Sequence, residues 1–163
     1  MQRLRAFTLI ELMLVVVIMA ILSTALFLTT QRGILKAEFD DQVTEITGLI
    51  EKARGYALSN YLVNDLEPAQ YYQLHIEATR IRLIAVGESG TNVSETLETL
   101  TYESDFRMGG ATSIYYFPPN GDVCFTKTCT GTTTYKSLTF HDPDYTYQTK
   151  FTVTKYGGYP EIE

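Results

Sequence analysis

A long apolar stretch near the N-terminus constrains this chain more than any other feature. Residues 7–28 read FTLIELMLVVVIMAILSTALFL, twenty-two residues in which Glu11 is the only charged side chain. In a helix, about 20 apolar residues at about 1.5 Å each match the ~30 Å hydrocarbon core of a bilayer. Arg3 and Arg5 precede the run and few charges follow it at once, a pattern that keeps the leader cytoplasmic. The sequence therefore predicts a single membrane pass over residues 7–28 and an exported C-terminal domain.

Glu11 is the unusual residue of this stretch. A carboxylate within hydrocarbon costs about 2.5–3.5 kcal/mol on insertion scales, and such residues normally have a function. A cation from another chain would offset that cost, so Glu11 favours chains packed side by side over isolated ones. The alternative is that Glu11 lies at the membrane boundary and extends into the headgroups.

The residues around Glu11 carry a family resemblance. Residues 5–12, RAFTLIEL, resemble the processing site of type IV prepilins and of type II secretion pseudopilins. The resemblance implies cleavage between Ala6 and Phe7 by a prepilin peptidase and N-methylation of Phe7. It also implies that Glu11 meets the free amine of a neighbouring subunit during filament growth. The family usually has Gly before the cut, and because Ala6 departs from this we expect slower cleavage.

The same resemblance implies a cellular location and a set of partners. The chain would be stored in the inner membrane and then moved into a pilus or a periplasmic filament. Its partners would be the prepilin peptidase, an inner-membrane assembly platform, and other pilin or pseudopilin subunits. Major pilin, minor pilin and pseudopilin remain open as roles.

An ordinary secretory signal is the main alternative for the N-terminus. Such signals have an apolar core of about 7–15 residues followed by a small-x-small cleavage site. In this chain the apolar run is longer, and the small residues Ala20, Ser23 and Ala25 lie within it. Cleavage there would leave a secreted domain, and a retained signal would leave a membrane-anchored binding domain; neither forms a filament.

A helical pattern continues beyond the apolar run. Apolar residues recur at intervals of three or four and form one stripe, apart from a final adjacent pair: Leu35, Phe39, Val43, Ile46, Ile50, Ala53, Ala57 and Leu58. The opposite face is charged and carries Glu38, Asp40, Asp41, Glu45, Glu51 and Lys52. We therefore expect one helix from Phe7 to about Leu62, with its amphipathic half over residues 29–62.

After residue 62 the pattern changes to strands separated by turns. The predicted strands are residues 71–77, 80–86, 97–102, 113–117, 135–141, 147–155 and 159–162. The first two form a hairpin, and Pro118-Pro119-Asn120-Gly121 is the clearest turn. A helix followed by six or seven antiparallel strands predicts an α+β fold. The predicted organisation is a leader at 1–6, a transmembrane segment at 7–28, an amphipathic half-helix at 29–62 and a β-rich domain at 63–163.

Charge and cysteine content narrow the function further. The formal net charge is −6, and loss of Arg3 and Arg5 with the leader takes it to −8. An acidic exterior argues against binding to a phosphate backbone, so no nucleic-acid partner is expected. Cys124 and Cys129 are the only two cysteines, and in an exported domain this spacing favours a disulfide. A disulfide that closes so short a loop would stabilise the fold by about 2 kcal/mol on the chain-entropy model.

Catalytic and metal sites have weak support in the sequence. His141, Asp142 and Asp144, with Ser137 nearby, offer groups for catalysis, yet no nucleophile or cofactor motif accompanies them, so neither enzyme nor cofactor is expected. Asp122 could join the two aspartates to hold calcium, but three scattered acids do not make a site. Asn92 begins a short glycosylation sequon of a kind that arises by chance.

Three segments resemble a subfamily. Residues 51–59, EKARGYALS, are similar to the helix end of H-type minor pseudopilins and related minor pilins. Residues 115–121 and 156–162 are similar to the mid-domain turn and the final hairpin of the same proteins. The resemblance implies a minor filament subunit. The arginines with which some relatives bind DNA have no counterpart in the tail, whose last arginine is Arg107.

Overall fold

The computed structural model describes residues 9–59, 61–63, 67–88, 93–103, 105–110, 112–156 and 158–163. Side chains of residues 26, 28, 29, 31 and 32 lie outside that description. One helix, α1, covers Leu9–Ser59 and is 51 residues long. Ten strands follow within the described residues: β1 Leu62–Val63, β2 Glu67–Ile76, β3 Arg80–Gly87, β4 Ser94–Thr101, β5 Arg107–Gly109, β6 Thr112–Phe117, β7 Asp122–Cys124, β8 Tyr135–His141, β9 Gln148–Thr154 and β10 Pro160–Ile162. The predicted α+β class is confirmed.

The chain divides into two compact units, Met1–Glu38 and Phe39–Glu163. The helix contributes residues to both units, and each unit is described separately below. The predicted helix start at Phe7 lies outside the described residues. Its predicted end at Leu62 is wrong, because Leu62 pairs with Pro68 in an antiparallel ladder. The Ser59 hydroxyl donates to the carbonyl of Tyr56 at 3.1 Å, which satisfies a carbonyl that the helix end leaves unpaired.

The helical residues of the second unit are amphipathic, as the stripe predicts. Five residues of the stripe are buried: Phe39, Ile46, Ile50, Ala53 and Ala57. Leu58 departs from the prediction, since 50% of it is exposed. All six residues predicted for the charged face are exposed. This part of α1 therefore has its apolar cover within its own chain.

The larger sheet has the strand order β4-β3-β2-β6-β7, with β1 beside β2. The predicted hairpin is confirmed as β2 and β3, paired antiparallel with Leu74 opposite Leu83. The predicted turn at residues 118–121 is also confirmed between β6 and β7. There the N–H of Gly121 donates to the carbonyl of Phe117 at 2.9 Å, and Gly121 has φ of +68°. Glycine reaches that φ without steric cost.

The smaller sheet has the order β10-β9-β8-β5, again antiparallel throughout. Three predicted strands lie here as β8, β9 and β10. The sequence did not predict β1, β5 or β7, which are two or three residues long. Such segments are too short to show alternation, and β5 contains Gly109, a residue type that is depleted in strands.

The core of the second unit lies between its helical residues and the sheets. The inward residues of β2 and β3 are fully buried and alternate with outward ones, as in Leu74 and Leu83. An aromatic cluster joins α1 to the smaller sheet. The Phe39 ring stacks on Phe140 at 5.3 Å between centroids and meets Phe106 edge-on at 5.7 Å. Burial of each such ring contributes on the order of 1.5–3 kcal/mol.

Candidate functional site

The first unit presents an apolar surface that no described residue covers. Every large apolar side chain of residues 9–22, which we call the apolar segment, is exposed, from Leu9 at 77% to Val15 at 45%. These side chains point in all directions around the helix, since the run has no polar stripe. A helix that is hydrophobic on every side belongs in lipid or among other helices. The apolar segment is therefore the candidate site in this unit.

Glu11 interrupts this surface in the first described turn of α1. It is exposed and flanked by Ile10 and Leu12, which are 76% and 61% exposed. The segment thus combines an apolar surface with one anionic group near its end.

The predicted processing residues, Ala6 and Phe7, lie outside the described residues. The predicted membrane span over residues 7–28 also begins outside the described residues. Within residues 9–59 and the rest of the described chain, no helix is both long enough and apolar enough to cross a membrane.

The structure contains a disulfide between Cys124 and Cys129, the pair that the sequence favours, with Cα atoms 5.2 Å apart. Cys124 is buried on β7, directly opposite Tyr115 of β6, while Cys129 is exposed. The N–H of Cys129 donates to the carbonyl of Thr126 at 3.1 Å. The Lys127 ammonium lies 5.5 Å from the centroid of the Tyr71 ring. The disulfide therefore fastens a short loop to the outer face of the larger sheet.

The structure gives His141 and Asp142 a structural role in a turn. His141 Nδ1 lies 2.7 Å from the carbonyl oxygen of Asp142, and its ring stacks on Tyr145 at 4.0 Å between centroids. The buried Asp142 carboxylate accepts the N–H of Tyr147 at 3.0 Å. This is the local hydrogen bonding that makes aspartate common in turns.

The acids considered for calcium do not come together as one site. Asp122 opens β7 in the larger sheet, whereas Asp142 follows β8 in the smaller one. Within the described part of the chain, no group of three or more acidic, histidine or cysteine side chains is arranged to hold a metal ion. Asn92, the sequon residue, lies outside the described residues.

A polar network on the outer face of the larger sheet was not predicted. Glu77 accepts hydrogen bonds from Arg80 Nε at 2.9 Å and from Arg82 at 2.6 Å, and it lies 3.4 Å from His75 Nε2. His75 Nδ1 lies 3.0 Å from the hydroxyl of Ser113. The hydrogen bond from Arg80, followed by that from Arg82, holds the pKa of Glu77 below its usual range.

This network resembles the serine–histidine–carboxylate order of a hydrolase, but its setting is a flat sheet. His75 and Ser113 are directly opposed on β2 and β6, where the backbone N–H groups are engaged in the ladder. The Ser113 hydroxyl also accepts a hydrogen bond from Gln73 Nε2 at 2.9 Å. The arrangement therefore stabilises the sheet face. Alternation along β2 and β3 could have placed residues 75, 77 and 82 on one face, but nothing in the sequence pairs β2 with β6.

Comparison with known proteins identifies the N-terminal region. Residues 1–27 match a family model described as the prokaryotic N-terminal methylation motif. The chain thus carries the N-terminal signature of type IV pilins and pseudopilins. This motif indicates a structural subunit that is processed by a prepilin peptidase and assembles with other pilin subunits. The comparisons with curated proteins and with solved structures return no match.

Proposed function

We propose that this chain is a filament subunit, a minor pilin or pseudopilin, that assembles through the apolar segment of its N-terminal helix. The observation that supports this most directly is the all-round exposure of residues 9–22 next to a methylation motif at residues 1–27. In a fibre outside the membrane, burial of each large apolar side chain between helices rather than in water stabilises association by about 1.5–3 kcal/mol. A row of such side chains provides the cohesion of a fibre.

The proposed sequence of events begins with storage in the inner membrane. The apolar segment is covered there by lipid, which fits the membrane-anchored location that accompanies the motif. Cleavage after Ala6 removes the leader, residues 1–6, and leaves Phe7 as a methylated N-terminus. The segment then exchanges lipid for neighbouring helices, where van der Waals packing and polar pairing hold the helices together.

Glu11 supplies the specificity of this step. Because apolar contacts are non-directional, they do not define how far one helix is shifted along the next. A pair of a carboxylate and a cation in an apolar environment does define this shift. In the proposed fibre, the Glu11 carboxylate meets the amino group of Phe7 from a neighbouring subunit and fixes the register.

The role as a minor subunit is supported by the resemblance of residues 51–59, 115–121 and 156–162 to H-type proteins. Under this proposal the chain is scarce relative to the main subunit of its filament. Quantitative mass spectrometry of purified fibres measures the ratio, and a chain that makes up most of the fibre mass would be a major pilin instead.

The experiment that tests the proposal measures the intact mass and N-terminal residue of the protein from membranes, with and without the prepilin peptidase. The expected product starts at N-methylated Phe7 only when the peptidase is present. A product that starts at Met1 in both strains, or that starts near Ala25, contradicts the proposal. Such a chain would be an anchored or secreted binding domain.

A further inference from the structure

The larger sheet ends in a long edge strand, β4. Within the described residues, β4 pairs with β3 on one side and with no strand on the other. It is eight residues long, and about half of the backbone N–H and C=O groups of an edge strand point away from the sheet. Edge strands are usually kept apart from other chains by shortness, proline or charge. β4 has no proline, and its only charged residues are two glutamates.

A groove runs beside this edge, between β4 and the helical residues of the second unit. It has a volume of about 310 Å³ and is lined by Glu45, Gly48, Leu49 and Lys52 of α1 and by Glu98, Thr99 and Leu100 of β4. The three β4 residues are consecutive, and since alternate side chains of a strand point to opposite faces, the groove reaches around the free edge. At Gly48 an added Cβ would meet no described atom beyond its own stretch of helix within 4 Å. We call this the β4 groove.

The charges of the edge and of the β4 groove are mainly negative. Lys52 and Glu98 neutralise each other, because Lys52 Nζ lies 2.9 Å from both carboxylate oxygens. Glu45 is exposed and forms no ion pair within the described residues. It has a long side-chain contact there, 3.4 Å, with the amide of Gln42. Glu95 of β4 adds another carboxylate to the edge. These charges attract a cation on an incoming chain.

The same charges disfavour a second copy of this chain at the β4 edge. Two β4 strands side by side would bring the glutamates of one strand towards those of the other, and like charges on facing strands are destabilising. The whole chain is also acidic, with a formal net charge of −6. The occupant that the charges favour is a basic segment of a different protein.

We propose that β4 binds an extended basic segment of a different protein, which adds to the larger sheet as an outer strand. The backbone of the segment pairs with the free edge of β4, a mode of recognition that needs no pre-formed pocket. A lysine or arginine side chain of the segment enters the β4 groove and meets the Glu45 carboxylate. The next side chain on the same face, two residues along the segment, packs on Leu100 and on the open face of Gly48. The inference goes beyond the proposed filament role and does not rest on it, because one copy of the chain provides the whole site.

Binding of a designed peptide to the full-length chain in detergent tests the proposal. The probe is a labelled octapeptide, TKTVTKTV, in which lysine and valine alternate on one face of a strand and threonine occupies the other. One control peptide has glutamate in place of lysine. A second control has the sequence of the probe and a methyl group on every backbone nitrogen, which removes strand pairing and keeps the charge. Fluorescence anisotropy should show each control binding at least about tenfold more weakly than the probe.

Hydrogen exchange identifies the strand to which the probe binds. Amide exchange over β4, followed by mass spectrometry of the full-length chain, should slow by about fivefold or more when the probe is bound. The reason is that an added strand takes up N–H groups that otherwise face solvent. Exchange over β10, the three-residue edge strand of the smaller sheet, should not change.

Charge substitution tests the contact with Glu45. Glu45→Lys should weaken binding of the probe by at least about fivefold and strengthen binding of the glutamate control. Glu161→Lys changes the net charge by the same amount at an exposed position of β10. This matched variant should bind the probe to within about twofold of the wild-type chain. Both residues are exposed, so neither substitution removes a core side chain.

Three results would overturn the site. Equal binding of the probe and its N-methylated form, or equal weakening by Glu45→Lys and Glu161→Lys, would mean that a cationic peptide is merely attracted to an acidic protein. Slower exchange in a strand other than β4 would place the peptide elsewhere. Absence of any binding by the probe would show that the β4 edge does not accept a basic strand. None of these measurements depends on filament assembly, so their failure leaves the filament role untouched.

Discussion

Two parts of one helix differ in where their apolar residues find cover. In the second unit, the stripe from Phe39 to Ala57 is buried by the sheets of its own chain, and Ile46, Ile50 and Ala53 are fully inaccessible. In the first unit, residues 9–22 have the same secondary structure and more apolar residues, yet all the large ones are exposed. A 3.6-residue period indicates cover on one face of a helix, whereas apolar residues on every side indicate a helix that is surrounded by apolar groups.

The largest expected effect is on the free energy of unfolding, and it should differ between the two parts of the helix. Ile50→Ala removes a fully buried side chain and should lower the free energy of unfolding of the second unit by about 2–5 kcal/mol. Leu14→Ala shortens a side chain that is 59% exposed. This variant should change the free energy of unfolding by less than about 0.5 kcal/mol. Denaturant unfolding of the full chain in detergent, followed by near-ultraviolet circular dichroism, measures both. Equal losses in the two variants would mean that the apolar segment is covered within the chain.

Assembly should show the reverse dependence. Glu11→Ala is expected to reduce incorporation into fibres by about tenfold or more, because the mutant helix has no group to fix its register. The unfolding free energy of the second unit should be unchanged. Glu88→Ala, which removes an exposed carboxylate from a turn, is the matched control and should assemble normally. Normal incorporation of Glu11→Ala, measured by immunoblot of sheared fibres, would remove the proposed role of this residue.

A smaller effect should be confined to the second unit. Replacement of both Cys124 and Cys129 by serine opens the disulfide-closed loop and should lower unfolding stability by about 2 kcal/mol. The same loss should follow reduction of the wild-type chain by dithiothreitol, and the reductant should not change the double variant. Fibre incorporation per folded molecule should stay constant. A loss of incorporation without a loss of stability would show that the loop itself contacts a neighbour.

The smallest expected effect is a pH dependence on the outer sheet face. The pKa of Glu77 is lowered by its hydrogen bonds from Arg80 and Arg82, so the folded state binds fewer protons there than the unfolded state does. The stabilisation is therefore complete above the unfolded pKa and is lost as pH falls through the folded pKa. Glu77→Gln should flatten the acid limb of the stability curve, measured by thermal unfolding between about pH 2 and 6. An unchanged acid limb in Glu77→Gln would mean that other carboxylates cause the loss of stability at low pH.

Local patterns in the sequence are sufficient for the features that depend on neighbours along the chain. The helix, its charged face and the β2–β3 hairpin follow from periodicity and turn residues, because each side chain's direction is fixed by the residues around it. The motif around Glu11 is likewise local. The helix end was misplaced by three residues because strand pairing of Leu62 with Pro68 competes with further helical turns.

Contacts between distant segments are visible in the folded chain alone. His75 and Ser113 lie 38 positions apart and become neighbours because β2 pairs with β6. The contact of Arg54 with Tyr159 and the cluster of Phe39 with Phe140 arise in the same way. No short-range period records such a pairing, since it depends on how the whole set of strands shares one core. The order of residues is thus enough to show that the apolar segment has no polar face, whereas contacts between distant segments establish which of the remaining apolar residues are covered by their own chain.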